Sequence, residues 1–200
     1  MTEKTGAPPE GLRERKRRET RQRIAEVGMR LFLANGFDAT TLDMIAAAAD
    51  VSRRTFFYYF DSKDAVLETW ERGLEEALRT AIAEQPPLTE PLDVVRRSLA
   101  TLTTRYETDE ALAIDQLMRS TETLRARKKA NYQRQEQIVA DTLAERWPDP
   151  ERQQALRLVA MVGVGTLRLA MEAWGAEERR GPLAAYLDEA FETVRSELAR

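Results

Sequence analysis

The sequence predicts an all-α protein in which a three-helix N-terminal domain containing a helix-turn-helix precedes a larger helical domain, with about nine helices in total. Apolar residues recur at helical spacing along most of the chain, no segment alternates like a β-strand, and prolines and glycines separate the helical segments. A length of 200 residues accommodates one small and one medium-sized domain. We place a disordered arm at residues 1–11, the first domain at 12–67 and the second at 68–200.

The composition excludes several kinds of chemistry. The chain has no cysteine and no histidine, which rules out disulfides, thiolate zinc sites and every Ser-His or Cys-His pair. We therefore predict no metal, no cofactor and no enzymatic activity, although a helical enzyme that uses carboxylates with Lys or Arg remains an alternative. The first twenty residues show no signal-peptide pattern, and the longest apolar run, 158–167, is about half of a membrane span. We expect a cytoplasmic protein without a membrane partner.

Charge is distributed unevenly along the chain. The net charge is −3, but residues 1–63 carry a net +3 and residues 64–200 a net −6. A basic end on an acidic body is typical of a protein whose basic end contacts nucleic acid.

Local signals define three helices in the N-terminal domain. Apolar residues between positions 24 and 32 form one face of the first helix, and two short helices follow it. The signals that begin and end these helices are the Asn35-Gly36 stop, the Thr41 cap, the Asp50-Val51 turn and the Ser52 cap. Two short helices joined by a tight turn are typical of a helix-turn-helix, whose second helix enters the major groove of DNA.

The third helix, over residues 53–59, divides its side chains between packing and recognition. Phe56 and Phe60 lie on one face and should anchor the helix to the core. The residues that should point outward are Arg53, Arg54, Thr55, Tyr58 and Tyr59. Arginines reach guanine edges or phosphates, and Lys63 at the next helix start should contact a phosphate. Exposed arginines alone are common on helical bundles, and the charge run from Arg13 to Arg23 is more typical of a solvated helix start.

Residues 20–67, and especially residues 25–64, resemble the DNA-binding domain of the TetR family of repressors. The specific part is the run over residues 51–60, VSRRTFFYYF, followed by Ser62-Lys63. The resemblance places Leu42 and Asp43 near phosphates, and it matches Tyr59 and Lys63 to the usual phosphate contacts. It also implies that the positions facing DNA are those of Arg53, Arg54, Thr55, Phe57 and Tyr58. With the two caps included, the predicted DNA-contacting set is Thr41, Leu42, Asp43, Ser52, Arg53, Arg54, Thr55, Phe57, Tyr58, Tyr59 and Lys63.

Three positions depart from the family pattern. Asp50 stands where the turn usually has glycine, Phe57 where tyrosine is common, and Asp61 where proline or lysine is common. The first departure predicts a left-handed turn, which aspartate tolerates better than most residues. The second removes one hydroxyl that could contact a phosphate.

The second domain reads as helix throughout. The predicted helices are 63–83, 91–106, 110–121, 124–147, 150–174 and 182–199. Residues 120–127 and the last two helices resemble actinobacterial TetR regulators related to the mycofactocin-system regulator. This resemblance implies a homodimer through the last two helices. Gly163 and Gly165 lower helix propensity, which close approach of a partner backbone or tight packing within the chain would explain equally well.

The helix-turn-helix and the family resemblance together imply a ligand-responsive transcriptional regulator. Its expected partners are double-stranded operator DNA and a small-molecule effector. We expect a repressor that a small, largely apolar ligand releases from a palindromic operator through a population shift. A DNA-binding dimer without a ligand is the alternative. The candidate effector residues are Leu99, Leu102, Tyr106, Leu117, Met118, Tyr132, Met161 and Trp174. Such residues are more often plain core.

Overall fold

The computed structural model describes residues 11–86 and 90–199, and the predicted arm lies outside this range except for Gly11. Within the described residues the regular structure is entirely helical. The elements are α1 (Leu12–Asn35), α2 (Leu42–Ala48), α3 (Arg53–Tyr59), α4 (Lys63–Ala83), α5 (Pro91–Tyr106), α6 (Asp109–Arg119), α7 (Glu122–Arg146), a 3-10 helix (Pro150–Arg152), α8 (Gln153–Ala176) and α9 (Leu183–Leu198). The predicted all-α fold is confirmed.

Two helix starts differ from their prediction by two residues or more, and side-chain caps lie at both places. The Thr121 hydroxyl accepts from Leu124 N at 3.2 Å, so α7 begins two residues earlier than predicted. The segment predicted as one helix from Pro150 is divided. The Asp149 carboxylate accepts from Glu151 N at 3.0 Å, and an Arg152 N to Asp149 O bond of 3.0 Å closes a 3-10 turn before α8 begins.

The chain separates into two compact units, and the division falls between Trp70 and Glu71 within α4. We call residues up to Trp70 the N-terminal unit and those from Glu71 the C-terminal unit. The core of the N-terminal unit has fully buried residues from every helix in it: Ile24, Phe32, Ile45, Phe56, Phe60, Val66 and Leu67. Gly28 permits this packing, because a Cβ there would lie 2.8 Å from Val66 Cγ1.

The turn between α2 and α3 adopts the backbone that the sequence predicts. Asp50 has φ 52°, in the left-handed region that glycine usually occupies. The Val51 amide donates to Ala46 O at 3.0 Å and closes the turn. This turn fixes where α3 begins, so the prediction from Asp50 is confirmed.

In the C-terminal unit, α8 packs against α5, α7 and α9. Its inner face contributes Ala160, Val164 and Leu167 to a core that α9 completes with Leu187 and Phe191. The segment Pro150–Ala176 is long and apolar enough to cross a membrane by length and composition. Both the buried inner face and the exposed apolar residues of the outer face, such as Leu158 and Leu169, contribute to this composition, since 39% of the apolar stretch is buried.

The structure assigns different surroundings to Gly163 and Gly165 of α8. A Cβ on Gly163 would overlap the Val95 side chain of α5, so packing within the chain explains this glycine. A Cβ on Gly165 would meet no atom of the described residues within 4 Å. The two explanations left open by the sequence therefore separate, and only Gly165 stays available for a partner.

Candidate DNA interface and effector site

α3 is held in place at both ends. The Ser52 hydroxyl accepts from Thr55 N at 3.0 Å and lies 2.8 Å from the Thr55 hydroxyl, so both predicted contact residues already hydrogen-bond to each other at the helix start. Phe56 and Phe60 are buried, with ring centroids 5.8 Å apart. The predicted anchoring face is present. Of the residues predicted to point outward, Arg53, Arg54 and Tyr58 are exposed, whereas Thr55 and Tyr59 are half-buried.

The outward face of α3 presents Arg53, Arg54, Phe57 and Tyr58, all exposed. Phe57 is 43% exposed and Tyr58 is 62% exposed, although large aromatic side chains are usually mostly buried in folded proteins. No ion pair to Arg54 is present among the described residues, so its guanidinium is available to a ligand. These side chains form one surface, which we call the α3 face.

Arg53 is oriented by α2. Its Nη1 lies 3.3 Å from Asp43 Oδ2, and its guanidinium lies 5.8 Å from the Phe57 ring centroid. Asp43 was predicted to lie near phosphates, and a carboxylate there would repel them unless it is neutralised. The Arg53 pair supplies that neutralisation. On the same helix Thr41 accepts from Met44 N at 3.2 Å as the predicted cap, and Leu42 follows it half-buried.

Lys63 has partners that sequence reasoning missed. Its Nζ donates to Phe37 O at 2.7 Å, and Thr40 O lies 3.3 Å away. The ammonium also lies 4.3 Å from the Phe37 ring centroid. Lys63 therefore holds the segment between α1 and α2, and its predicted phosphate contact stays a prediction. A helix that ends at Asn35-Gly36 leaves backbone carbonyls without hydrogen-bond donors, and this was the sequence signal for a nearby lysine donor.

A second missed contact joins α1 to α3. Arg21 Nη1 donates to Tyr59 O at 2.7 Å, and its guanidinium lies 4.5 Å from the Phe60 ring centroid. One turn earlier, the Arg17 guanidinium lies 5.4 Å from the Tyr58 ring centroid. Arg17 and Arg21 of α1 thus contact the C-terminal end of α3.

The structure brings together only part of the candidate effector set. Leu99 and Leu102 belong to the apolar core of the C-terminal unit, and the half-buried Tyr106 and Tyr132 pack against it. Leu117, Met118 and Trp174 are also buried, and Trp174 Nε1 donates to Gly181 O at 3.0 Å.

Met161 does not lie with the other candidates. It is 48% exposed on the outer face of α8, because the helical turn that buries Ala160 and Val164 directs residue 161 outward. Its placement in an internal pocket is therefore corrected.

Two phenols pack against the core of the C-terminal unit, those of Tyr106 and Tyr132. Burial, reinforced by the neighbouring Tyr132, raises the pKa of Tyr106 well above its ordinary value. Burial and the Asp115 charge raise the pKa of Tyr132 to about 12. Both hydroxyls are neutral at physiological pH and can donate. Among the described residues neither hydroxyl has a hydrogen-bond partner, so both remain available to a polar group of a ligand.

The most buried carboxylate of the C-terminal unit is Glu71, which lies on α4 at 5% exposure. Its two oxygens accept from Arg127 at 2.7 and 2.9 Å, while Asn131 and Arg134 add contacts at 2.7 and 3.1 Å. Burial would raise the pKa of Glu71, but the hydrogen bonds from Arg127 and Asn131 and the arginine charges outweigh it and lower that pKa. The cluster ties α4 to α7 and leaves no carboxylate lone pair directed at a substrate.

Comparison with known proteins agrees with this geometry. Residues 24–69 match the bacterial regulatory proteins of the tetR family, and residues 89–199 match the MftR C-terminal domain. The chain is 28% identical to the putative mycofactocin biosynthesis transcriptional regulator MftR of Mycobacterium tuberculosis, over 96% of this chain and 98% of that protein. It is 35% identical to the transcriptional regulator TcmR of Streptomyces glaucescens, over 52% of this chain and 46% of that protein.

A solved structure is similar over most of the chain. Thermus thermophilus FadR, a TetR family transcriptional repressor crystallised with lauroyl-CoA, is 28% identical with a TM-score of 0.53, over 86% of this chain and 91% of that one. The matches cover both units, and the second covers more than half of the chain. This chain therefore belongs to the TetR family of DNA-binding helix-turn-helix transcriptional regulators, with a C-terminal domain of the MftR type.

Proposed function

We propose that this regulator is a cytoplasmic, dimeric repressor whose α3 face binds a palindromic operator and whose C-terminal unit releases it when an apolar effector binds. The observation that carries the proposal is the exposed Arg54, which has no ion pair among the described residues and lies on a short helix anchored at both ends. A guanidinium in that position can donate twice to a guanine edge, while neighbouring hydroxyls contact phosphates.

The DNA test compares the wild type with Arg54→Ala and Lys63→Ala on the duplex upstream of the gene for this protein. Loss of a base contact should cost about 1–3 kcal/mol of specific binding for Arg54→Ala and leave the salt slope nearly unchanged. Lys63→Ala should lower the salt slope if Lys63 reaches a phosphate, and should lower only thermal stability if it acts solely on the Phe37 carbonyl. A specific complex that Arg54→Ala does not weaken would contradict the proposed readout.

The outer face of α8 supports a dimer. Leu158, Met161 and Leu169 are 56%, 48% and 58% exposed, and Gly165 lies in the same stripe. A row of large apolar residues with a glycine at its centre allows two copies of α8 to pack closely around a two-fold axis. A two-fold dimer would present two α3 helices to half-sites about 34 Å apart.

The dimer test is the oligomeric state by analytical ultracentrifugation. Leu158→Ser with Leu169→Ser should shift the protein toward monomer and weaken operator binding. Leu12→Ser is the matched control, because Leu12 is an equally exposed leucine on α1, at 60%, and should leave the mass unchanged. An unchanged dimer in the double variant would place the interface elsewhere.

We further infer that the effector has an apolar chain and a polar carbonyl-bearing end, as in a fatty acyl-CoA. The apolar core around Leu99 and Leu102, together with two neutral phenol donors, supports a ligand of this chemistry. The similar FadR of T. thermophilus was solved with lauroyl-CoA, which supports the same class.

Thermal unfolding with lauroyl-CoA tests the effector class, with coenzyme A alone as the control for the head group. A ligand at one hundred times its Kd stabilises the folded state by about 2.7 kcal/mol, which corresponds to a Tm increase of roughly 5–10 °C. Tyr106→Phe with Tyr132→Phe should reduce this increase without lowering the Tm of the free protein. If neither lauroyl-CoA nor free fatty acids shift the Tm or release DNA, the alternative of a DNA-binding dimer without a ligand is favoured.

A further inference from the structure

The N-terminal half of α1 extends beyond the packing of its unit. Buried residues of α1 begin at Ile24, whereas residues 11–19 are exposed without exception. Residues 12–23 contain seven Lys or Arg and two Glu, a net +5. Core packing does not explain a helical segment of this length and charge. A contact between its basic surface and another molecule would explain it.

A groove of about 520 Å³ lies between this segment and the end of α3. Its lining residues are Leu12, Arg13, Lys16, Arg17, Thr20, Tyr58 and Tyr59. None of these described lining residues is acidic, and three are cations. Three further hydroxyls, from one threonine and two tyrosines, point to a site for an anion. We call it the α1 groove.

The groove is built on the helix face that forms the core farther along α1. Positions 13, 17, 20 and 24 follow one another at helical spacing, so the face that buries Ile24 carries cations and a hydroxyl one to three turns earlier. The contacts of Arg17 with the Tyr58 ring and of Arg21 with Tyr59 O fix this segment against α3. The groove is therefore preorganised in the folded unit.

We propose that the α1 groove binds the phosphodiester backbone of DNA beside the major-groove segment that the α3 face contacts. The inference rests on the proposed function, because Tyr58 belongs to both surfaces and a duplex on the α3 face lies directly beside the groove. Cations three and four residues apart on a helix are about 5–6 Å apart at Cβ, which suits successive phosphates of one strand. Each protomer thus gains a sequence-independent contact element in addition to its helix-turn-helix.

The experiment compares two full-length variants with the same loss of charge on the same helix. Arg13→Gln with Lys16→Gln removes two groove cations, and Arg15→Gln with Arg18→Gln removes two cations that do not line the groove. Binding is measured across a salt series on two duplexes, the one upstream of its own gene and a random sequence of equal length. Because neither pair belongs to the core, both variants should unfold at the wild-type temperature.

The groove variant should show a salt slope that is shallower by about 0.9 per lost phosphate contact, and so by up to about four for a dimer. Affinity for the two duplexes should fall by the same factor, since backbone contacts carry no sequence information. The control variant should change the slope by less than half as much.

Three results would overturn the inference: equal slope changes in both variants, no slope change in the groove variant, or a loss of affinity confined to the specific duplex. The proposed function fails separately. If the wild type does not distinguish the two duplexes while the groove variant still shows the shallower slope, the groove inference stands and the repressor proposal falls.

Discussion

The two compact units of this chain differ in the polar contacts that hold their helices together, although each unit contains both helix caps and an interhelical ion pair. In the N-terminal unit, the caps Thr41, Ser52 and Ser62 and the cations Lys63 and Arg21 hydrogen-bond to backbone groups. In the C-terminal unit, charged side chains pair with one another between helices. The pairs are Glu71 with Arg127, Asp93 with Arg195, Arg96 with Asp188 and Asp115 with Lys128.

The difference shows which charges are available to a ligand. In the N-terminal unit the backbone is satisfied by small hydroxyls and two cations, so other cations such as Arg54 and Arg13 remain exposed for a polyanion. In the C-terminal unit the interhelical pairs fix helices that enclose an apolar core. Substitutions should therefore have large effects on stability in the C-terminal unit and small, local effects in the N-terminal unit.

The largest expected effect is Glu71→Gln. The change leaves Arg127, whose side chain is 17% exposed, without its bidentate carboxylate, and breaking a buried pair costs about 3–5 kcal/mol. Denaturant unfolding measures the loss. Glu75→Gln is the control on the next turn, where an exposed contact to Arg134 at 3.2 Å should contribute less than about 1 kcal/mol.

The same pair makes a pH prediction. Because the pKa of Glu71 is lowered on folding, its stabilisation is fully present above the ordinary value of 4.5 and is lost as the pH falls through the lowered pKa. The free-energy difference between wild type and Glu71→Gln should therefore narrow below pH 4.5. A difference that stays constant down to pH 3 would mean that the carboxylate charge does not stabilise this unit.

The second largest effect concerns the packing of α8 on α5. Gly163→Ala would introduce a methyl that overlaps Val95, and overpacking of this kind costs about 1–3 kcal/mol. Gly165→Ala is the control on the same helix, where the outward methyl should raise monomer stability by about 0.5–1 kcal/mol through helix propensity. Equal effects of the two changes on unfolding would contradict the assignment of Gly163 to the interior.

The difference between the two units also explains which features of the structure could be predicted from the sequence. Caps, stops and the left-handed Asp50 act over three to five residues, so the N-terminal unit and the helix boundaries follow from local pattern. Glu71 and Arg127 are 56 residues apart and Arg96 and Asp188 are 92 apart, and no local signal joins such positions. Periodicity identified Met161 as apolar and helical but could not determine which face of α8 turns outward.

A smaller effect is expected from the cap of α3. Ser52→Ala removes the acceptor for Thr55 N and should cost about 1 kcal/mol. Ser52→Thr preserves a hydroxyl and should retain most of that stability. Operator affinity should fall with Ser52→Ala by more than stability alone explains, because α3 positions Arg54. Unfolding curves together with binding to a fixed duplex separate the two effects, and unchanged binding would show that α3 does not need its cap.

The smallest effect is expected at the turn between α2 and α3. At φ 52°, a residue with a Cβ is strained, so Asp50→Gly should stabilise the N-terminal unit by roughly 0.5–1 kcal/mol and Asp50→Ala should destabilise it. Asp50→Asn controls for the lost charge, because asparagine tolerates the left-handed region as aspartate does. Hydrogen exchange of the α2 and α3 amides reports on this unit alone. Stabilisation by alanine as large as that by glycine would mean that removal of the carboxylate from the turn, and not relief of backbone strain, governs its stability.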